Sequence, residues 1–295
     1  NIAPRIIYRD QADWGVFKDA IEANPTTPLM DPENPTRYYN FQGQVVGSNP
    51  VERQLLEKDH GDTKLLDWDG TVRLNLLPLL AKDNDGNHRL STQVMFADHQ
   101  YDNDNSWFRP STSTICINNG REGEASRSYS KERQYVVEWL TNYSGSFGSH
   151  NVKGMAGYSY QYAQYSGLDA YNKDFPNDGL GYDNLGSGEY AKEEGEIDMG
   201  SYRNDSKLIS FFGRVSYDYA GKYMFTASLR HEGSSKFGAD NKWGNFPAVS
   251  AGWRISEEPF MKNVKWVSDL KLRADYGVTG NQDFGSYISL NTMTG

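Results

Sequence analysis

Long runs of strict two-residue alternation are the feature that most constrains this chain. Between Ser268 and Gly280, apolar side chains recur at every second position, and polar or small side chains stand between them. Successive side chains of a β-strand point to opposite sides, whereas a helix would scatter these apolar positions around its axis. The run therefore predicts a strand with one apolar and one polar face.

The same alternation recurs along most of the chain. It predicts eight strands, centred on Trp68–Leu76, Leu90–Phe96, Tyr135–Tyr143, Val152–Tyr162, Phe211–Tyr219, Tyr223–Leu229, Val249–Ile255 and Leu270–Val278, with a possible ninth near Ile288. The Asn151–Tyr165 run exceeds the roughly 5–6 residues of an average globular strand and fits the roughly 9–11 that cross a tilted bilayer. We therefore predict an all-β fold, an antiparallel transmembrane β-barrel to which this chain contributes about 8–9 strands.

Short and long connections alternate between these runs. The short ones are Ala81–Asn87 with its Asp85-Gly86 turn, Gly145–His150, Ala220-Gly221 and Glu257–Val267, and the longer ones are Asp98–Ser126, Ser166–Asp205 and Glu232–Asn245. Outer-membrane barrels have short periplasmic turns and long extracellular loops. This sorting favours a membrane barrel over a soluble sandwich.

Residues 1–65 lack the alternation and contain Pro- and Asn-rich breaks after one short amphipathic helix over Trp14–Ala23. We predict that 1–65 is an extracellular-type loop region that enters the barrel, and that 66–295 holds barrel strands with short periplasmic turns and long extracellular loops. No plug domain is recognisable in either part, and the start at Asn1 without an initiator Met suggests a mature product or an internal fragment.

Composition and the absence of catalytic motifs argue against several classes of function. The 30 Lys and Arg against 39 Asp and Glu give a net charge of −9, which argues against a nucleic-acid partner. Mean hydropathy is −0.76, and no apolar run approaches the roughly 18 residues of a membrane helix. The five histidines lack the helical spacing of zinc enzymes, and no Gly-x-Ser-x-Gly elbow is present, so we expect no enzyme activity and no cofactor.

Acidic clusters are the only candidates for a metal site. Three acidic segments are candidates for a Ca²⁺-binding loop, namely Asp83–Asn87, then Asp98, Asp102 and Asp104, and finally Glu193, Glu194, Glu196 and Asp198. The Asp83–Asn87 segment lacks the Gly and Glu that an EF-hand loop needs at its sixth and twelfth positions, so a hairpin turn is favoured there. For the other two clusters, solvated loop charge is the favoured interpretation.

Aromatic side chains in the predicted loops are candidate ligand contacts, because their rings stack on sugar or peptide faces. The set comprises Trp107, Phe108, Tyr165, Tyr171, Tyr182, Tyr190, Phe237, Trp243 and Phe246. We single out Trp107, Phe108, Tyr182 and Trp243 as substrate-contact candidates. Loop packing or an interfacial girdle is the alternative for each ring.

Two stretches carry a family resemblance. Phe211–Met261 reads FFGRVSYDYAGKYMFTASLRHEGSSKFGADNKWGNFPAVSAGWRISEEPFM, and Ser268–Gln282 reads SDLKLRADYGVTGNQ. They resemble the barrel of the SusC/RagA family, the TonB-dependent outer-membrane transporters of Bacteroidetes. The resemblance implies a 22-stranded plugged barrel of which this chain is an internal piece, located in the outer membrane.

The resemblance also implies a function and partners. These are active import of oligosaccharides or peptides, a SusD-like surface lipoprotein, and energy coupling to TonB, ExbB and ExbD through an N-terminal region that this sequence does not contain. Two alternatives stay open, a soluble β-sandwich carbohydrate-binding module and a passive porin.

For the barrel we predict a lipid face and a lumen face. The lipid face carries Val249, Trp253, Leu270, Leu272, Phe225 and Leu229, and the lumen face carries Arg214, Arg230, Arg254, Lys271, Arg273 and Asp275. A charge at mid-membrane on the lipid face costs about 2–4 kcal/mol. We therefore expect Leu272→Arg to block assembly and Arg273→Ala to be tolerated.

Overall fold

The computed structural model describes residues 2–10, 14–44, 46–77, 87–190, 198–264 and 266–287. These residues form one antiparallel sheet in which every strand pairs with its neighbours in the sequence. The strands are β1 (Ile2–Asp10), β2 (Lys58–Asn75), β3 (His88–Arg109), β4 (Glu124–Phe147), β5 (His150–Lys173), β6 (Met199–Tyr219), β7 (Tyr223–Ser234), β8 (Trp243–Arg254) and β9 (Lys271–Gly277). In the described residues β1 and β9 are the edges of this sheet, which is open rather than closed.

Short helices lie in the connections. They are α1 (Trp14–Glu22), α2 (Pro50–Leu56) and α3 (Thr114–Asn118), with 3-10 turns at Gly181–Ser187, Ala239–Asn241, Ile255–Glu257 and Pro259–Met261. Helix α1 confirms the amphipathic helix predicted at Trp14–Ala23. No helix in the described part of the chain has the length and apolar character to cross a membrane.

Pairing register is uninterrupted along each pair of strands, so two faces can be followed across the whole sheet. Residues directly opposite one another share a face. Val215, for example, lies opposite Gly154 and Ala227, and Ala227 lies opposite Val249. The neighbouring positions, Ser216, Thr226 and Ser250, form a second row on the other side. We call these two sides the apolar face and the polar face.

Large hydrophobic side chains of the apolar face are exposed. They include Val72, Leu74, Val94, Trp139, Phe211, Val215, Phe225, Leu229, Val249 and Leu272, each between 44% and 66% exposed. Soluble monomers rarely expose apolar patches larger than a few hundred Å². The compact hydrophobic cluster of the described residues, formed by Phe108, Ala125 and Phe175, lies instead beside the loops. The sheet therefore exposes its apolar face instead of burying it in a core.

The eight predicted strands are all present, but their limits differ from the prediction. Much of the predicted loop Asp98–Ser126 belongs to β3 and β4, and β5 and β6 likewise extend into Ser166–Asp205. Polar residues form these extensions, and alternation of hydrophobicity disappears where neither face meets lipid. For the same reason β1 was missed, since it lies in the region predicted as loop. The strand proposed near Ile288 falls outside the described residues.

Connection lengths follow the predicted sorting only in part. The connections 148–149 and 220–222 are tight turns at one end of the sheet, and the opposite end has the long connections 11–57 and 174–198. The prediction was wrong for the last pair, because 255–270 is longer than 235–242. The 255–270 connection contains two 3-10 turns rather than a simple hairpin. The predicted Asp85-Gly86 turn lies outside the described residues.

Candidate functional site

The apolar face has the height of a membrane core. On β6 it extends from Ile209 to Tyr219, and at about 3.3 Å per residue with a tilt near 40° these ten residue steps span roughly 25 Å. That height matches the lipid-facing band of outer-membrane barrels, about 25 Å. In the described strands, the registers place no Lys, Arg, Asp or Glu side chain on the apolar face between the level of Ile209 and the level of Tyr219.

Aromatic rings border this band at both ends. The row near the tight turns, the lower row, contains Phe147, His150, Tyr217, Tyr219, Tyr223 and Trp253. The row toward the long connections, the upper row, contains Trp68, Phe96, Tyr135, Tyr160, Tyr162 and Trp243. His150 and Tyr219 have ring centroids 4.8 Å apart, and Trp68 and Phe96 have centroids 4.9 Å apart. Amphipathic rings favour the boundary between hydrocarbon and water, so the two rows form interfacial girdles.

The polar face carries hydrophilic and charged side chains. The registers place Arg214, Arg230, Arg254, Lys271, Arg273 and Asp275 on it, on the side opposite Phe225, Leu229, Val249, Trp253 and Leu272. Leu270 stands just before β9. The predicted separation of the two sets is therefore seen in the structure. Arg73, Arg89 and Lys153 also lie on the polar face and were missed, although strand alternation beside Val72, Leu90 and Val152 marks them.

A groove of about 860 Å³ runs over the polar face near the tight turns. Small hydroxyl side chains form much of its floor, among them Ser144, Ser216, Thr226 and Ser250. Thr226 Oγ1 lies 3.0 Å from Ser216 Oγ. Small side chains at these positions leave room above the sheet, as expected for the inside of a wide barrel.

At the opposite end of the sheet, an aromatic cluster projects from the polar face. Trp107 on β3 and Tyr171 on β5 lie in one row on either side of Ser126, with ring centroids 6.1 Å apart. Tyr190 packs edge-on against Tyr171 with centroids 6.4 Å apart. We call Trp107, Tyr171 and Tyr190 the mouth cluster, because the long connections 11–57 and 174–198 emerge at this end.

Buried ion pairs hold the mouth cluster in place. Arg109 donates a 2.6 Å hydrogen bond to Glu57 and also forms an ion pair with Glu124. Glu124 accepts a further hydrogen bond from the Arg121 guanidinium. Tyr171 donates its hydroxyl to Glu124 over 2.7 Å, and the Arg109 guanidinium lies 5.4 Å from the Trp107 ring centre. Both carboxylate side chains are about 95% buried or more. Such pairs have strong geometric specificity.

Burial and hydrogen bonding oppose one another at these groups, which lie beyond the membrane band. Burial alone would raise the pKa of Glu124, but the Tyr171 hydroxyl and the Arg109 charge together lower it below 4.5. Burial and the hydrogen bond to Glu124 raise the pKa of Tyr171. Glu124 is therefore a carboxylate and Tyr171 a neutral hydroxyl at neutral pH, which is the protonation that their hydrogen bond requires.

A second buried contact links the N-terminal loop region to the same end. Glu52 of α2 accepts a 2.6 Å hydrogen bond from the Thr114 backbone N–H and another from the Thr114 hydroxyl, at the start of α3. Asn49 caps α2, and Ser113 caps α3. Burial raises the pKa of Glu52 despite these hydrogen bonds. No local sequence pattern indicated this contact, because its partners are 62 residues apart.

Of the four substrate-contact candidates, only Trp107 faces the polar side. Phe108 is 1% exposed and packs with Ala125 and Phe175, while Tyr182 covers this cluster from the 3-10 turn Gly181–Ser187. These two rings pack against protein, the alternative that the sequence left open. A substrate contact by either would require the cluster to open.

Trp243 lies on the apolar face. Its ring stacks on His231 with centroids 4.6 Å apart and an interplanar angle of 7°, and it also faces Phe211 at 6.5 Å. The pairing of Trp243 with Gly233 puts it in the upper girdle. Strand alternation turns this ring to the apolar face, which favours the interfacial girdle that the sequence left open as the alternative, and a substrate contact by Trp243 stays a prediction.

The acidic candidates for Ca²⁺ are not assembled as a site. Asp98, Asp102 and Asp104 lie on β3 rather than in a loop, with Arg133, Lys131 and Arg127 at 3.6–3.7 Å. Among the described residues, no group of three or more His, Cys, Asp or Glu side chains is arranged to hold a metal ion. Asp83–Gly86, Glu193, Glu194 and Glu196 lie outside the described residues. The calcium proposal stays untested.

Comparison with known proteins agrees with this geometry. Residues 8–295 match the family described as "TonB dependent receptor-like, beta-barrel". The chain belongs to this family. It is 29% identical over 95% of its length to TonB-dependent receptor P26 of Formosa agariphila, covering 27% of that protein. It is 36% identical over 48% of its length to TonB-dependent receptor SusC of Bacteroides thetaiotaomicron, covering 13% of it.

Solved structures agree on the fold. The RagAB peptide transporter superposes over 85% of this chain and 26% of its own with a TM-score of 0.64 at 20% sequence identity. The chain thus spans about a quarter or less of the relatives it matches. It forms part of an outer-membrane β-barrel, its apolar face meets lipid, and its polar face lines the lumen. Family membership rules out the soluble β-sandwich alternative.

Proposed function

We propose that this chain forms part of the barrel and the extracellular mouth of a transporter that actively imports oligosaccharides or peptides through TonB. The observation that carries the proposal is the orientation of the mouth cluster. Trp107 and Tyr171 project to the lumen side from strands whose opposite face meets lipid, at the end with the long connections. Outer-membrane barrels have their long loops outside. An incoming solute would therefore meet these rings first.

The cluster is rigid enough to select a ligand. Tyr171 is fixed by Glu124 and Arg121, and Trp107 is fixed by Arg109, so little side-chain entropy remains to be lost on binding. Flat aromatic faces bind sugar rings or peptide groups by stacking. We propose a SusD-like lipoprotein as the partner at this mouth, and TonB with ExbB and ExbD as the source of energy.

Uptake by the full-length protein in its native host tests the proposal. We expect Trp107→Ala to reduce uptake of the natural oligosaccharide or peptide mixture at least about tenfold, the loss expected for one stacked ring worth about 1.4 kcal/mol. Trp243→Ala is the matched control, since it removes a ring of the same size from the lipid face. Equal effects of the two changes would contradict the proposal.

Energy dependence separates the proposal from a passive porin. Deleting TonB should abolish uptake while leaving the amount of receptor in the outer membrane unchanged. Uptake that continues at the same rate without TonB would favour the porin.

A further inference from the structure

The β8–β9 connection, residues 255–270, is much longer than the two tight turns at the same end of the sheet. Outer-membrane barrels have short turns at this periplasmic end. The first half of the connection is folded into two successive 3-10 turns. The Glu258 N–H donates to the Ile255 carbonyl over 3.0 Å, and the Met261 N–H donates to the Glu258 carbonyl over 3.0 Å. The extra residues therefore form a defined structure at the periplasmic end.

Glu258 joins this connection to the sheet. Its carboxylate accepts a 2.6 Å hydrogen bond from the Tyr223 hydroxyl and a 3.0 Å hydrogen bond from the Trp253 indole N–H. The Lys222 ammonium lies 3.6 Å from the second carboxylate oxygen. The Tyr223 and Trp253 hydrogen bonds lower the pKa of Glu258, so this side chain is a carboxylate at neutral pH. Three donors, from β7, from β8 and from the adjoining tight turn, therefore hold one side chain.

The partners of Glu258 decide on which side of the sheet the connection lies. Tyr223 and Trp253 pair with one another in the lower girdle, whose rings project from the apolar face. A carboxylate that reaches the polar atoms of both rings lies beside that girdle, outside the barrel wall rather than under the lumen. Whatever occupies the lumen, the start of the connection is therefore tied to the lipid-facing side of the sheet.

Side chains that follow Glu258 fit a membrane boundary. Phe260, in the second 3-10 turn, is 63% exposed, and Trp266, farther along, is 88% exposed. Lys262, between them, is also exposed. Aromatic rings and Lys side chains are favoured where hydrocarbon meets headgroups, because the ring enters the apolar edge while the ammonium stays in water beside phosphate. The connection thus continues the lipid-facing surface of the lower girdle past the ends of the strands.

We propose that residues 255–262 are an interfacial anchor in the headgroup region of the periplasmic leaflet, with Phe260 in contact with glycerophospholipid and Glu258 as the positioning residue. Glu258 fixes the direction of the turn, because hydrogen bonds to a charged acceptor are stronger than neutral ones. The girdle gains in this way a ring that no strand carries. The inference concerns the barrel wall and holds whichever solute the receptor imports.

Photo-crosslinking of the full-length receptor in the outer membrane of intact cells tests the lipid contact. The substitution Phe260→p-benzoylphenylalanine supplies the crosslinker, and mass spectrometry of the labelled peptide identifies the adduct. We expect the mass of a glycerophospholipid. The same substitution at Phe225, on the lipid face of β7, is the positive control, and at Ser216, on the lumen face of β6, it is the negative control. An adduct at position 260 with lipopolysaccharide or with protein only, or no adduct at all, overturns the inference.

Second-site variants of the same receptor test the positioning role. Glu258→Ala removes the acceptor and should reduce the phospholipid adduct at position 260 about tenfold, the effect on an equilibrium constant of one hydrogen bond to a charged group. Glu258→Gln keeps one acceptor oxygen and should retain more of the adduct than Glu258→Ala does. Glu257→Ala is the matched control, because Glu257 is the adjacent acid and is exposed.

Heat-modifiable migration separates a failure to assemble from loss of the lipid contact, and it should be unchanged in all three variants. An adduct that is equally strong in Glu258→Ala and the wild type, or that falls equally in Glu257→Ala, overturns the positioning role. If Glu258→Ala does not assemble, the Glu258→Gln variant decides. A reduced adduct in that variant then supports the role, and an unchanged adduct overturns it.

Discussion

A charge placed at the centre of the lipid face should destabilise the barrel strongly, and Val215→Arg is the sharpest test. Val215 lies on β6 between Ile209 and Tyr219, the two ends of the apolar band on this strand, near the middle of the band. Its side chain is 55% exposed on the apolar face, and its cross-strand neighbours are Gly154 and Ala227. These small residues give an Arg side chain no polar partner and no cover from lipid.

The expected cost follows from this depth. An Arg at the bilayer midplane of a β-barrel costs about 2–4 kcal/mol, which lowers the folding equilibrium constant roughly 30- to 900-fold. Ser216→Arg is the matched control, since the adjacent position faces the wet groove on the lumen side. We expect the control to cost less than about 1 kcal/mol. The difference between two neighbouring positions on one strand isolates the effect of the face.

Urea titration of the full-length protein in phospholipid vesicles measures the free energy of unfolding, and heat-modifiable migration in gels reports assembly. Both variants should be compared with the wild type at the same lipid composition. If Val215→Arg and Ser216→Arg destabilise the protein equally, the assignment of the two faces is refuted.

Three further predictions test the girdle, a turn and the mouth. Leu272→Arg should lower the free energy of unfolding by no more than about 1 kcal/mol, contrary to the expectation from sequence, because Leu272 pairs with Trp253 in the lower girdle, where a charge reaches water. The amount of this variant at the cell surface should therefore stay close to that of the wild type. Gly221→Val should cost roughly 1–2 kcal/mol in urea titration, and Gly221→Asn less, because Gly221 has φ 69°. Below pH 4.5, protonation of Glu124 should lower the hydrogen-exchange protection factors of residues 110–123, which relate the observed rate to the intrinsic rate at each pH.

The sign of that pH effect follows from the lowered pKa of Glu124. Its contacts stabilise the fold above the unfolded pKa near 4.5, and this contribution is lost as the pH falls through the folded pKa. The raised pKa of Glu52 acts in the opposite direction, so Glu52→Gln should make the loosening at low pH larger. Glu124→Gln should abolish the loosening at low pH and leave the opposite effect of Glu52. Protection factors that stay constant between pH 6 and pH 3 in the wild type would contradict this account.

The sequence by itself determined the strands that cross the membrane and the side on which each of their residues lies. Hydrocarbon on one face and water on the other impose a two-residue period, and the Leu270–Val278 and Phe211–Tyr219 runs display it directly. For the same reason the chain alone separated Leu272 from Arg273. Lys153 and Arg89 could have been assigned to the lumen by the same rule.

Only the tertiary structure decided what happens beyond the membrane. There water surrounds both faces, so hydrophobicity no longer alternates, and β1 and the ends of β3 and β4 carry no local pattern. The meeting of Glu57 with Arg109 and of Glu52 with Thr114 depends on long-range pairing. Phe108, Tyr182 and Trp243 are aromatic residues like Trp107, yet only the register of the strands and the fold of the loops turn Trp107 toward the lumen.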